Sequence, residues 1–61
     1  MNTEWIYDIL KEYVVKENIV TSYDRLDKTY KYMIDSGYGE SIGVVTFALV
    51  ADSKIREMLV N

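Results

Sequence analysis

The sequence predicts an all-α protein built from three helices, at about 3–17, 22–36 and 41–60. Three observations lead there. Apolar residues recur at helical spacing in each of the three stretches. There is no proline in the chain to stop a helix outright. The punctuation that does occur, Asn18 and Ser36-Gly37-Tyr38-Gly39, falls between the stretches and consists of residues that end helices.

In the first stretch Ile6, Ile9, Leu10, Tyr13 and Val14 form one stripe at i, i+3, i+4, i+7 and i+8. Asn2 or Thr3 can cap it, and Glu4 suits the positive end of the helix dipole. Asn18 is the expected stop, because asparagine tolerates the left-handed backbone that closes a helix. In the second stretch Tyr23, Leu26, Tyr30, Met33 and Ile34 make the stripe, and Thr21 and Ser22 compete as caps.

The third stretch contains Ile42-Gly43-Val44-Val45-Thr46-Phe47-Ala48-Leu49-Val50-Ala51, apolar or glycine but for one hydroxyl. Val44, Ala48, Ala51, Ile55 and Met58 alternate in a four-three-four-three seam that predicts one continuous helix over 41–60, capped by Glu40 or Ser41. Ile42, Val45 and Leu49 form a second stripe on another side. A rival reading makes 42–50 a strand in an α+β fold, because the run is rich in β-branched residues. Gly43 weighs against the helix, costing about 1 kcal/mol relative to alanine inside one. The register of the seam, unbroken into Ile55 and Met58, favours the helix.

Sixty-one residues make one domain, 1–61, and a small one. Such a chain buries a modest share of its surface and needs staples, a metal, good helix packing or a second copy. There is no cysteine and no histidine, so disulfides, thiolate metal sites and imidazole ligands are excluded. Packing and oligomerisation remain. Because so short a domain has little interior, the second stripe of Ile42, Val45 and Leu49 is expected to be a self-association surface, making a homodimer.

The chemistry-bearing groups point away from catalysis, and no cofactor is expected. The hydroxyls of Thr3, Thr21, Ser22, Thr29, Ser36, Ser41, Thr46 and Ser53 have no histidine to activate them. The carboxylate pairs Glu4/Asp8 and Asp24/Asp27 sit on outward faces among lysines and arginines, not across a cleft. Gly37-Tyr38-Gly39-Glu40-Ser41-Ile42-Gly43 lacks the lysine of a phosphate loop and reads as a turn between helices.

The expected function is non-enzymatic protein–protein interaction: a small regulator, adaptor or inhibitor of a larger protein. Six tyrosines and one tryptophan are many for this length. Trp5, Tyr7 and Tyr32 fall beside or outside the core stripes and are the candidate anchors for a partner, because such residues bury much area while keeping a polar handle. The alternative is a small dimeric DNA-binding or transcription-modulating protein with a helix-turn-helix across Gly37-Tyr38-Gly39. Against it, the start of the third helix is too apolar to read base edges. Ile, Tyr, Lys and Asn far outnumber Gly, Ala, Arg and Pro, a bias of AT-rich genomes such as those of phages and mobile elements.

The location expected is cytoplasmic. Met1-Asn2-Thr3-Glu4 places an acid where a secretory leader would be basic. The apolar run of about ten residues falls short of the roughly twenty that span a bilayer. The net charge of -3 disfavours anionic membranes and phosphate backbones. Arg25, Lys28 and Lys31 do share a face with Tyr32, but Asp24, Asp27 and Asp35 share it too. The chain should therefore bind DNA and RNA weakly or not at all. An anisotropy titration near physiological salt checks this, and sub-micromolar affinity for any nucleic acid would refute it.

Overall fold

A computed structural model describes residues 2–60; Met1 and Asn61, the first and last residues of the expected domain, lie outside the described residues. The described residues form four α-helices: α1 (Glu4–Lys16), α2 (Tyr23–Asp35), α3 (Ile42–Ala51) and α4 (Ser53–Val60), with one 3-10 turn at Tyr38–Glu40 before α3. The all-helical expectation holds. Residues 42–50 are helical, so the α+β alternative is set aside. No helix among the described residues is long and apolar enough to cross a membrane.

Each helix end has a local cause. The Asn2 side chain accepts from the Glu4 N–H at 2.9 Å, while the Thr3 hydroxyl turns away to bond the Tyr30 hydroxyl. Asn18 takes φ 55°, and Ile19 N–H and Asn18 N–H close on the carbonyls of Val14 and Val15 at 2.9 and 3.2 Å. This is the Schellman closure, and it explains why α1 stops where Asn18 stands. Ser22, not Thr21, caps α2, accepting from Arg25 N–H at 3.3 Å. Gly37 at φ 81° ends α2 in the left-handed region that favours glycine. Ser41 caps α3 by accepting from Val44 N–H at 3.2 Å.

α2 packs against both α1 and α4, and α3 rests on the 3-10 turn and on α4. The core draws on all four helices: Ile6, Leu10 and Val14 from α1, Leu26 and Met33 from α2, Val45, Ala48 and Leu49 from α3, Ile55 and Leu59 from α4. Thr29 joins it fully buried, its hydroxyl satisfied by the Arg25 carbonyl at 2.7 Å. Tyr23, expected in the α2 stripe, is instead exposed. It lies in the first turn of α2, where Ser22 and Tyr23 lead the chain in from solvent.

The helix expected over 41–60 is two helices. α3 ends at Ala51, and Asp52 takes an extended backbone, φ -95° and ψ 101°. The cause is capping. The Asp52 carboxylate accepts from Lys54 N–H at 3.0 Å and its carbonyl accepts from Ile55 N–H at 3.1 Å, so Asp52 starts a new helix instead of continuing the old one. The break changes which residues are buried. Ala48 and Ile55 of the expected seam are in the core, Val44 and Met58 are half-buried, and Ala51 is exposed. Ala48 is 2% exposed. Ala48→Asp should therefore unfold the protein, since an uncompensated buried charge costs several kcal/mol against a total of roughly 5. Lys54→Ala, on the exposed side of α4, should change stability by less than about 0.5 kcal/mol. Thermal melts of the two variants check both statements.

Candidate interaction surface

Two features of the surface follow from the break at Asp52. The first is the outer face of α3. A helix apolar on all sides buries one side and presents the other. Val45 is 0% and Leu49 6% exposed, so these two residues belong to the protein's own core. Their expected role in self-association is corrected: α3 turns the Val45–Ala48–Leu49 side inward, into the core that it shares with residues of the other three helices. Ile42 remains outside. With it stand Gly43, Thr46, Phe47, Val50 and Ala51, all exposed. Phe47 is 72% and Val50 85% exposed. No charged residue occurs between Ser41 and Ala51.

The second feature is a groove of about 930 Å³ between α1 and the α3–α4 elbow. Ile9, Tyr13, Leu49, Val50 and Val60 give it apolar walls, and Glu12, Lys16, Glu17, Arg56 and Glu57 stand on its rim. It exists because α1 packs on α2 and leaves space before α3 and α4. A hydrogen bond crosses it near the elbow: the Tyr13 hydroxyl donates to the Leu49 carbonyl at 3.3 Å. In an unbroken helix that carbonyl would accept from Ser53 N–H. The extended Asp52 removes that donor, and Tyr13 supplies another. Arg56 then reaches over the Tyr13 hydroxyl at 3.4 Å and pairs with Glu17 at 3.3 Å.

The three aromatic candidates lie elsewhere. Trp5, Tyr7 and Tyr32 are half-buried and pack against the core. Tyr7 and Tyr30 pack edge to face at 5.9 Å between ring centres, with the Lys11 ammonium 5.4 Å from the centre of Tyr7. They close the rim of a small core more than they project from it. The structure does not gather them with Ile42 into one patch of α3. Phe47, expected beside the packing seam, and Val50 are the most exposed large apolar groups of that helix. The signal that distinguishes them is their spacing of four and three from Gly43 and Phe47, on the side opposite Val45 and Leu49.

Tyr32 has a second role. Its hydroxyl and that of Tyr38 both donate to the same oxygen of Asp52, each at 2.8 Å. The Tyr32 hydrogen bond, then that of Tyr38, holds the Asp52 carboxyl below its usual value of 3.8. The same bonds raise both phenols above 10.0. The cluster ties α2 and the 3-10 turn to the α3–α4 elbow. Among the described residues no group of acids is placed to hold a metal ion.

No known protein family matches the chain, and no curated protein or solved structure shows significant similarity to it.

The Asp52 cluster gives stability a pH dependence on both the acid and the alkaline side. Asp52 is depressed in the folded state, so its contribution is complete above 3.8 and is lost as pH falls through the lower folded value. Tyr32 and Tyr38 are raised, so theirs is complete below 10.0 and is lost as pH rises through the higher folded values. Removing both phenolic hydroxyls with Tyr32→Phe and Tyr38→Phe together should lower the thermal midpoint at neutral pH and flatten its fall on both the acid and the alkaline limb. A double variant that follows the wild-type pH curve would show that the cluster does not couple to stability.

Proposed function

We propose that this chain is a non-enzymatic protein–protein interaction module, a small regulator, adaptor or inhibitor of a larger protein, working in the cytoplasm as a homodimer. One observation carries the reading: the outer face of α3 is apolar, uncharged and uncovered. A monomer rarely leaves a contiguous apolar face in water without a use for it. The faces of the other helices carry ion pairs, Lys11–Asp8 on α1 and Lys28–Asp24 and Lys31–Asp27 on α2. Two copies of a chain with net charge -3 meet with least repulsion where neither carries a charge.

The groove supports the heterologous half of the reading. Its rim holds Glu12, Glu17, Asp52 and Glu57 against Lys16 and Arg56, four acids to two bases. That balance suits an amphipathic helix of the larger protein, with its apolar side on Leu49, Val50 and Val60 and basic residues at its edges. The same features argue against the DNA-binding alternative. The exposed face of α3 has no Arg, Lys, Gln or Asn to read base edges.

Sedimentation equilibrium at micromolar concentration should give a dimer for the wild-type chain. Phe47→Asp should shift it to monomer, at least tenfold weaker, with helical content unchanged and a thermal midpoint lowered only by the lost dimer stabilisation, because Phe47 touches solvent and not core. Glu12→Lys with Glu57→Lys should keep the dimer and lose the larger partner that the wild type captures. A wild-type chain that is monomeric throughout would sink the dimer, and capture indifferent to both variants would sink the module.

A further inference from the structure

The three glycines of this chain have three different explanations, and one of them is missing inside the molecule. Gly37 has φ 81°, a conformation that side chains rarely adopt. Gly39 lies so close to Ile6 that a Cβ would stand 3.3 Å from its Cδ1. Gly43 has neither reason. Its backbone is helical, and a Cβ there would meet nothing nearer than the Ser41 Oγ at 3.9 Å, ordinary contact. Glycine weakens a helix because it loses more backbone freedom on folding than any other residue. Nothing within the chain accounts for it at 43.

Gly43 is exposed on the outer face of α3, and one turn further along that face stands Phe47. The helix thus presents a hole and a knob side by side, about 6 Å apart along its axis. We propose that α3 packs antiparallel on α3 of a second copy, with Phe47 of each chain seated over Gly43 of the other. The proposal rests on the dimer described above and adds its register and direction. A two-fold axis passing α3 between positions 43 and 47 satisfies both contacts at once, as an isologous interface requires. Glycine lets the two backbones approach, and each ring fills the space that a side chain would occupy. Ile42, Thr46 and Val50 flank the pair. No charge from either α3 enters the interface, so two acidic chains join without burying an unpaired ion.

The register makes a demand that other apolar contacts do not. Gly43→Phe alone places two rings against each other at both contacts of the dimer. Phe47→Ala alone leaves both holes empty. Each variant by itself should be at least tenfold weaker in self-association than the wild type. Mixed one to one, they should pair, because each contact then joins a ring to a small residue: Phe47 over Gly43 at one end, the introduced ring over the introduced alanine at the other. Sedimentation equilibrium of each variant and of the mixture reads this directly, with far-UV circular dichroism confirming that each chain is helical. Gly43→Leu, a smaller knob, repeats the test should Gly43→Phe not fold. Recovery of dimer mass in the mixture is the expected result. A mixture that stays monomeric while the wild type dimerises overturns the register and leaves the dimer standing. Gly43→Phe that dimerises as well as the wild type overturns it too. A monomeric wild type removes the dimer itself.

Discussion

The structure depends on the interruption of one helix at Asp52. Residues 42–60 carry a seam that would sustain a single rod of about 28 Å at 1.5 Å per residue. Such a rod would leave Ile55 and Leu59 far from Ile6 and Leu10. Asp52 stops it by offering the backbone a competing set of partners. Its carboxylate caps the next helix through Lys54 N–H and accepts two phenols from elsewhere in the chain. A residue able to satisfy so many donors at once makes the break more favourable than continuation, as expected of aspartate at helix starts. The elbow then brings α4 onto α2, and Ile55 and Leu59 become fully buried.

The consequences of that break spread to the surface. Folding α4 back decides which side of α3 faces inward. Val45, Ala48 and Leu49 are covered, while Ile42, Phe47 and Val50 are left out. The freed Leu49 carbonyl is taken by Tyr13, which pins α1 across the mouth of the groove and gives Arg56 a place to lie. Core, groove and uncovered face are therefore one solution to one problem: how 61 residues with a wholly apolar helix can bury half of it.

What the sequence shows, and what it hides, divides along the range of the forces involved. The helix bounds were legible because they are set locally. Asn18, Ser22, Gly37 and Ser41 act on the backbone within a few residues, and they end or begin helices where expected. The inward stripe of α1 was legible for the same reason, since Ile6, Leu10 and Val14 recur at helical spacing. The break at Asp52 was not. The two phenols that reward it lie 14 and 20 residues away in sequence, and a four-three-four-three seam is silent about them. The direction of α3 was hidden as well. Ile42, Val45 and Leu49 differ little in hydropathy from Val44, Phe47 and Val50, so periodicity gives α3 no preferred face. Only its neighbours choose one. The aromatic residues mislead similarly: Trp5, Tyr7 and Tyr32 are large enough to seal a small core from its edge, so an off-stripe position did not make them project.

A charge-free apolar face on a protein this small is a hazard unless its contacts close on themselves. A face that matched a different surface of the next copy would add chains without limit, whereas a face that matches itself stops at two. The proposed pairing of α3 with itself would favour closure for two reasons. Phe47 and Gly43 lie on the same face within one turn, so that pairing would consume both. The surrounding helices carry acids in excess of bases, ten to seven over the chain, so further copies meet repulsion at every other approach. In such a dimer, charge outside the face and shape within it would act together: the first would limit where copies meet, and the second how many do.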